Sequence, residues 1–117
     1  MTFTQQECKF ATAGNDKGPG KLEVLQQSGA AEVTYTLIFR NGIGSIMYRA
    51  LLPPQPRLLP AKSSMIEVAE DESYAELELL CVRTGQQMAL EKCHVAVPTA
   101  VKEDFVSRFQ RAVAPSK

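Results

Sequence analysis

The chain's only histidine, His94, follows Cys93 directly and lies downstream of Cys81. These are the residue types that could ligate a metal or form a Cys–His nucleophile pair. The spacing argues against both. Neighbouring positions on a strand point to opposite faces, no Cys-x-x-Cys occurs, and no nucleophile-elbow motif surrounds any serine or cysteine. His94 therefore reads as a packed or surface residue, and a small hydrolase or metal enzyme built on it stands as an outlying alternative. Glu76 and Glu78 share one strand face, a geometry that acid/base pairs use, but a solvated edge accounts for them equally well. Gly42-Ile43-Gly44 lacks a third glycine and a Gly-Lys-Ser/Thr sequence, and it leads into a strand, so it is a turn and not a phosphate cradle. With no cluster of reactive residues, the expectation is a non-catalytic protein with no cofactor and no metal.

Those residues must be positioned by a single domain, because 117 residues with 44% hydrophobic and 22% charged composition supply one core. Thirteen basic and thirteen acidic residues cancel, so nothing in the net charge supports nucleic-acid binding. Three cysteines without framework spacing predict free thiols and a reducing compartment. No apolar run is long enough to span a bilayer, and Met1 to Phe10 is too polar for a secretory signal. The expected location is intracellular, cytoplasmic or nuclear.

Period-two alternation supplies most of the elements. Leu22 and Val24 alternate with Lys21 and Glu23. Val33, Tyr35, Leu37 and Phe39 alternate with Glu32, Thr34, Thr36 and Arg40. Asn41-Gly42 and Gly44 tolerate positive φ and reverse the chain into a strand from Ser45 to Leu52. Pro53-Pro54-Gln55-Pro56 breaks the ladder, and its Pro-x-x-Pro spacing reads first as a sheet-corner loop. Short strands are predicted at Arg57–Ala61 and Met65–Ala69, then a long one at Tyr74–Val82 with Ala75, Leu77, Leu79 and Cys81 on one face. Thr84-Gly85-Gln86 turns the chain into Met88–Val97, whose mixed alternation suggests a bulge near Lys92. Thr99 is placed to cap a helix running to about Val113, stopped by Pro115, with Val101, Phe105, Phe109, Ala112 and Val113 forming one apolar stripe. Residues 1–19, dense in turn formers near their end, read as a flexible lead-in, residues 20–114 as the domain and 115–117 as a tail. Connectors this short require antiparallel pairing.

Seven strands followed by an amphipathic helix resemble the pleckstrin-homology superfold. The resemblance implies a seven-stranded antiparallel bent sandwich or partial barrel capped by the helix. Within it, Gly20-Lys21-Leu22-Glu23-Val24-Leu25 and Leu37-Ile38-Phe39-Arg40-Asn41-Gly42-Ile43-Gly44-Ser45-Ile46-Met47-Tyr48-Arg49-Ala50 resemble the Ran-binding domains of nuclear-transport proteins and nucleoporins. The likeness continues through Arg57-Leu58-Leu59 and Ser64-Met65-Ile66-Glu67-Val68 and extends over 20–112. The chain departs from the pattern in having no tryptophan, and in presenting residues 1–18 where a strand customarily precedes the Gly-Lys-Leu run. The resemblance implies a protein partner, a Ran-type GTPase or transport complex, contacted by Arg40 and Asn41, with Lys21 and Arg49 also facing an acidic segment. A phosphoinositide bound near Lys21, Arg40 and Arg49 is the alternative the superfold allows.

Overall fold

The computed structural model describes residues 2–29, 33–83 and 89–114. The chain forms β1 (Thr2–Thr12), β2 (Asn15–Ser28), β3 (Val33–Asn41), β4 (Ile46–Leu51), β5 (Leu59–Pro60), β6 (Tyr74–Arg83) and β7 (Ala89–Pro98). A 3-10 turn (Thr99–Val101) leads into α1 (Lys102–Ala112). The strands lie in the order β4-β3-β2-β1-β7-β6-β5, and every pairing is antiparallel. Leu51 of β4 also pairs with Val82 of β6, so the sheet closes into a six-stranded barrel, where a bent sandwich or partial barrel was expected.

β1 corrects the expected lead-in. Phe3 and Gln5 are buried, then Cys8, Phe10 and Thr12, so the inward parity changes from odd to even along one strand. The pairing register skips between Gln5 and Cys8, where Gln6 and Glu7 together oppose one residue of β2. A bulge of this kind inserts an extra residue and flips every later side chain, which erases the period a sequence reading looks for. The strand missing ahead of Gly20 is thus present. At Gly20 the backbone of β3 leaves no room for a side chain: a Cβ there would sit 2.0 Å from the Arg40 carbonyl oxygen and 2.7 Å from the Phe39 ring.

Met65–Ala69 is not a strand. Residues 61–73 instead run as an irregular strap over the outside of β1, β6 and β7, where Ile66 packs with Ala11 and Ala96, flanked by Met65 and Tyr74. This strap also explains the mixed alternation of β7: its outward residues His94 and Ala96 are buried beneath it, while Cys93, Val95 and Val97 face the barrel interior. Register between β6 and β7 is continuous, so no bulge occurs at Lys92. The turn expected at Thr84-Gly85-Gln86, the residues Glu32 and Met88, and the stop at Pro115 lie outside the described residues.

The interior is filled by Phe10, Leu22, Val24, Leu37, Phe39, Leu77, Leu79, Val95 and Val97, and one mouth is plugged by α1. Phe105 and Phe109, fully buried, close around Phe3 with ring centroids 5.6 and 5.8 Å from it. Arg108 secures the plug by donating from Nη1 to the Thr4 carbonyl at 3.0 Å and from Nη2 to Gln5 Oε1, while its guanidinium lies over the Phe3 ring. Thr99 does not cap the helix. The helix begins at Lys102 with Val101 at its N-cap and no side-chain cap, and the Thr99 hydroxyl instead bonds Ser73 Oγ at 2.8 Å, tying the end of the strap to the end of β7. Asp104 and Glu103 in the first turn favour the positive end of the helix dipole in its place.

Candidate functional site

The residues with chemical potential are divided by the barrel wall. His94 points outward and is 1% exposed beneath the strap, whereas Cys81 and Cys93 point inward and are fully buried. No Cys–His pair forms. His94 Nδ1 makes a very short contact with Glu76 Oε2, and Nε2 lies 3.6 Å from Glu78 Oε2, too long for a normal hydrogen bond. Glu76 also accepts from Ser64 Oγ and from the Met65 backbone N–H, each at 2.8 Å. Burial opposes ionisation of Glu76, but the bonds from His94, Met65 and Ser64 outweigh it and hold the carboxyl below its ordinary value. Glu78 is only 8% exposed, so the pair is not the solvated edge its sequence position suggested. Glu76 is the carboxylate that secures the strap.

Inside the barrel the Tyr48 hydroxyl donates to Glu91 Oε1 at 2.7 Å and accepts from Cys93 Sγ at 3.4 Å. Burial, then its bonds with Cys93 and Glu91, pushes the Tyr48 phenol up, and the bond with Cys93 together with burial pushes the Cys81 thiol up. Cys8 is pushed up to about 12, chiefly by burial. Such thiols are poor nucleophiles, since the thiolate is the reactive form. All three cysteines are free and buried, and among the described residues no group of three or more His, Cys, Asp or Glu side chains could hold a metal ion.

The four predicted contact residues separate as well. Arg40 donates from Nε to Glu23 Oε1 at 2.9 Å and from Nη1 to the Gly44 carbonyl at 3.0 Å, and Lys21 Nζ lies 3.6 Å from the same glutamate. Asn41 is the pin of the β3–β4 turn: its Oδ1 accepts from the N–H groups of Ile43 and Ser45, and Gly44 takes the positive φ of 90° the reversal requires. Arg40, Asn41 and Lys21 are therefore engaged within the fold. Arg49 makes no ion pair among the described residues and lines the mouth opposite α1.

That mouth is a polar cavity of about 410 Å³ bordered by Asn15, Lys17, Tyr48, Arg49 and Arg83. Two bulges shape it. Register shifts where Lys17 stands between the paired residues Asp16 and Gly18, and again where Met47 stands between Ile46 and Tyr48. Bulges re-aim side chains at barrel rims, and here they bring Lys17 and Met47 to the opening. Arg83 sits over the Tyr48 ring, with Nε 3.8 Å from Glu91 Oε1. Beside the cations stand exposed apolar residues, Ile46, Met47 and, at the hairpin tip, Ile43 at 88% exposure. Lys17 and Arg83 escaped the sequence reading because their juxtaposition with Arg49 depends on barrel closure. The available signal for Lys17 was its place beside Gly18, whose positive φ of 75° marks the bulge.

A second concavity, of about 390 Å³, lies on the flank of the barrel between the Pro53–Arg57 loop and the outer face of β6 and β7. Leu59, Leu80 and Leu90 are exposed in it. Leu80 carried a sequence signal, since it continues the outward parity of Glu76 and Glu78 with an apolar residue.

No family model matches the chain, and neither a curated protein nor a solved structure matches it. No helix among the described residues is long and apolar enough to cross a membrane.

Proposed function

We propose that this chain is a non-catalytic protein-interaction module of the pleckstrin-homology class, taking an acidic segment of its partner into the mouth opposite α1. The observation that carries this reading is the convergence of Lys17, Arg49 and Arg83 on one opening, in a chain whose overall charge is zero. Cations focused at a concave rim raise the local concentration of anionic ligands even without net charge. The architectural class is supported by seven strands paired in the order β4-β3-β2-β1-β7-β6-β5 with a terminal helix over the far mouth. The non-catalytic part is supported by the engagement of His94, Glu76 and Tyr48 in bonds that hold the strap and the core.

The resemblance over 20–112 makes a Ran-type GTPase or a nuclear-transport complex the expected partner class, with Arg49 as the contact of the original four best placed to reach it. A pull-down at micromolar concentration against Ran loaded with GTP or GDP tests this. Capture of one form, lost in Arg49→Glu, supports the reading, and absence of both removes the Ran version. A phosphoinositide headgroup is the second reading, favoured by exposed Ile43, Ile46 and Met47 beside the cations, where apolar side chains could enter a bilayer interface. Liposomes carrying a phosphoinositide should then bind in a salt-sensitive way that Lys17→Glu abolishes, and binding to neutral liposomes alone counts against it.

A further inference from the structure

The flank concavity shares no lining residue with the mouth and presents different chemistry. The outward side chains of Leu80 and Leu90 form its floor, Leu59 closes one side, and the turn Pro54-Gln55-Pro56 lies against them. Leu90 is 65% exposed and Leu59 and Leu80 are each about half exposed, an aliphatic surface that water covers poorly. The turn is held in a costly shape. Gln55 has φ of 53°, the only positive value for a non-glycine among the described residues, and an L-residue there costs on the order of 1–2 kcal/mol. The prolines on either side limit the alternatives available to it. Strain of this kind persists where the surroundings enforce it.

The barrel wall is incomplete at this point. β6 pairs with β5 at Leu77 and Glu78 and with β4 at Val82, so its residues 79–81 have no strand across from them on that edge. An unpaired stretch of strand beside an apolar floor suits an extended chain. The accessible charges in the groove are positive. Arg57 is exposed and has no ion pair among the described residues, and Lys92 stands on the sheet side. Glu78, the lining acid, is buried and lies 3.9 Å from the half-exposed Lys92 Nζ, so two cations face one acid and the groove keeps a positive excess carried by Arg57.

We propose that this groove docks an extended segment of a partner protein in which aliphatic side chains are flanked by carboxylates. The aliphatic side chains cover Leu80 and Leu90, and the carboxylates meet Arg57 and Lys92. A second copy of the chain fits the face less well, because a two-fold contact opposes two copies of one patch and offers its cations no acid besides the buried Glu78. The groove is an interface separate from the mouth, and either can fail without the other.

The test is fluorescence anisotropy of the full chain with arrayed, labelled peptides of about ten residues, a length suited to a single extended stretch. One set alternates leucine or phenylalanine with aspartate or glutamate, and a matched set carries lysine in place of the acids. The acidic set should bind saturably, more weakly as salt rises. Leu90→Glu and Arg57→Glu, both at exposed positions and checked for folding by circular dichroism, should each weaken binding by about tenfold or more. Because the mouth is itself proposed to take acidic segments, the series is repeated in the Arg49→Glu background, where the binding that Leu90→Glu and Arg57→Glu weaken should persist. The proposal is overturned if no acidic peptide saturates by about 1 mM, the weak limit of specific recognition. It is equally overturned if the lysine set binds as well or if neither groove variant weakens binding. Sedimentation showing a dimer that Leu90→Glu dissolves would assign the face to a second copy and overturn it too.

Discussion

Replacing Glu76 by alanine should detach the strap from the barrel, and the structure sets the size of the effect. Three donors converge on this one carboxylate: Ser64 Oγ and the Met65 N–H at 2.8 Å each, and His94 Nδ1. Ser64 is exposed and can turn to water, so it adds little. Met65 is half-buried and His94 is 1% exposed, so their donors lose an acceptor that solvent does not readily replace. Hydrogen bonds to a charged group contribute about 1.5–3 kcal/mol each, so losing these two gives a loss of about 3–6 kcal/mol. Urea unfolding of Glu76→Ala beside the native chain measures it. Amide exchange locates it, since protection should fall first over residues 61–68 while β2 and β3 stay protected. pH provides a second axis. The folded carboxyl titrates below its unfolded value of 4.5, so its stabilisation is fully present above that value and is lost as pH falls through the lower, folded one. The native chain should therefore lose stability in that acid window, and Glu76→Gln should flatten this part of the profile. A Glu76→Ala protein within about 0.5 kcal/mol of the native one, or one whose strap amides exchange no faster, would refute the reasoning.

Phe109→Ala removes a fully buried ring from the helical plug and should cost about 3–5 kcal/mol in urea titration; a loss under about 1 kcal/mol would mean the helix does not seal the barrel. Gly20→Ala forces a methyl to within 2.0 Å of the Arg40 carbonyl, so the β2–β3 ladder must part, with an expected loss of about 2 kcal/mol or more and lowered amide protection at Arg40 and Asn41. The three buried thiols should react with a thiol reagent only as the protein unfolds, with labelling tracking denaturant; fast labelling of a native cysteine would contradict their placement.

Particular residues show why some of this was legible from the chain and some was not. Tyr35, Leu37 and Phe39, and later Leu77, Leu79 and Cys81, follow an unbroken two-residue period and form β3 and β6 as read. Phe105 and Phe109 follow the helical period and fill the barrel end. β1 was hidden because the bulge at Gln6 and Glu7 reverses parity in the middle of the strand. The strap has the composition of a strand in Ile66 and Val68, but Ile66 is buried by lying across a sheet and not by pairing within one, and Val68 is exposed. The expected seven strands were therefore reached through two offsetting errors, β1 omitted and Met65–Ala69 added.

The candidate sites divide in the same way. Arg40 and Asn41 stood out in the sequence because a turn needs them, and Glu23 and the turn's own amides are what engage them. Lys17, Arg49 and Arg83 lie on three different strands, and only closure of the barrel brings their cations to one rim.

Local pattern by itself determined a mainly β chain ending in one amphipathic helix, because alternation and helical spacing record which side chains must leave water. Tertiary structure alone decided that the sheet closes, that His94 lies beneath a strap away from both thiols, and which cations meet at the open mouth. These outcomes depend on register and on contacts between distant residues, and such contacts leave no periodic trace in the order of the amino acids.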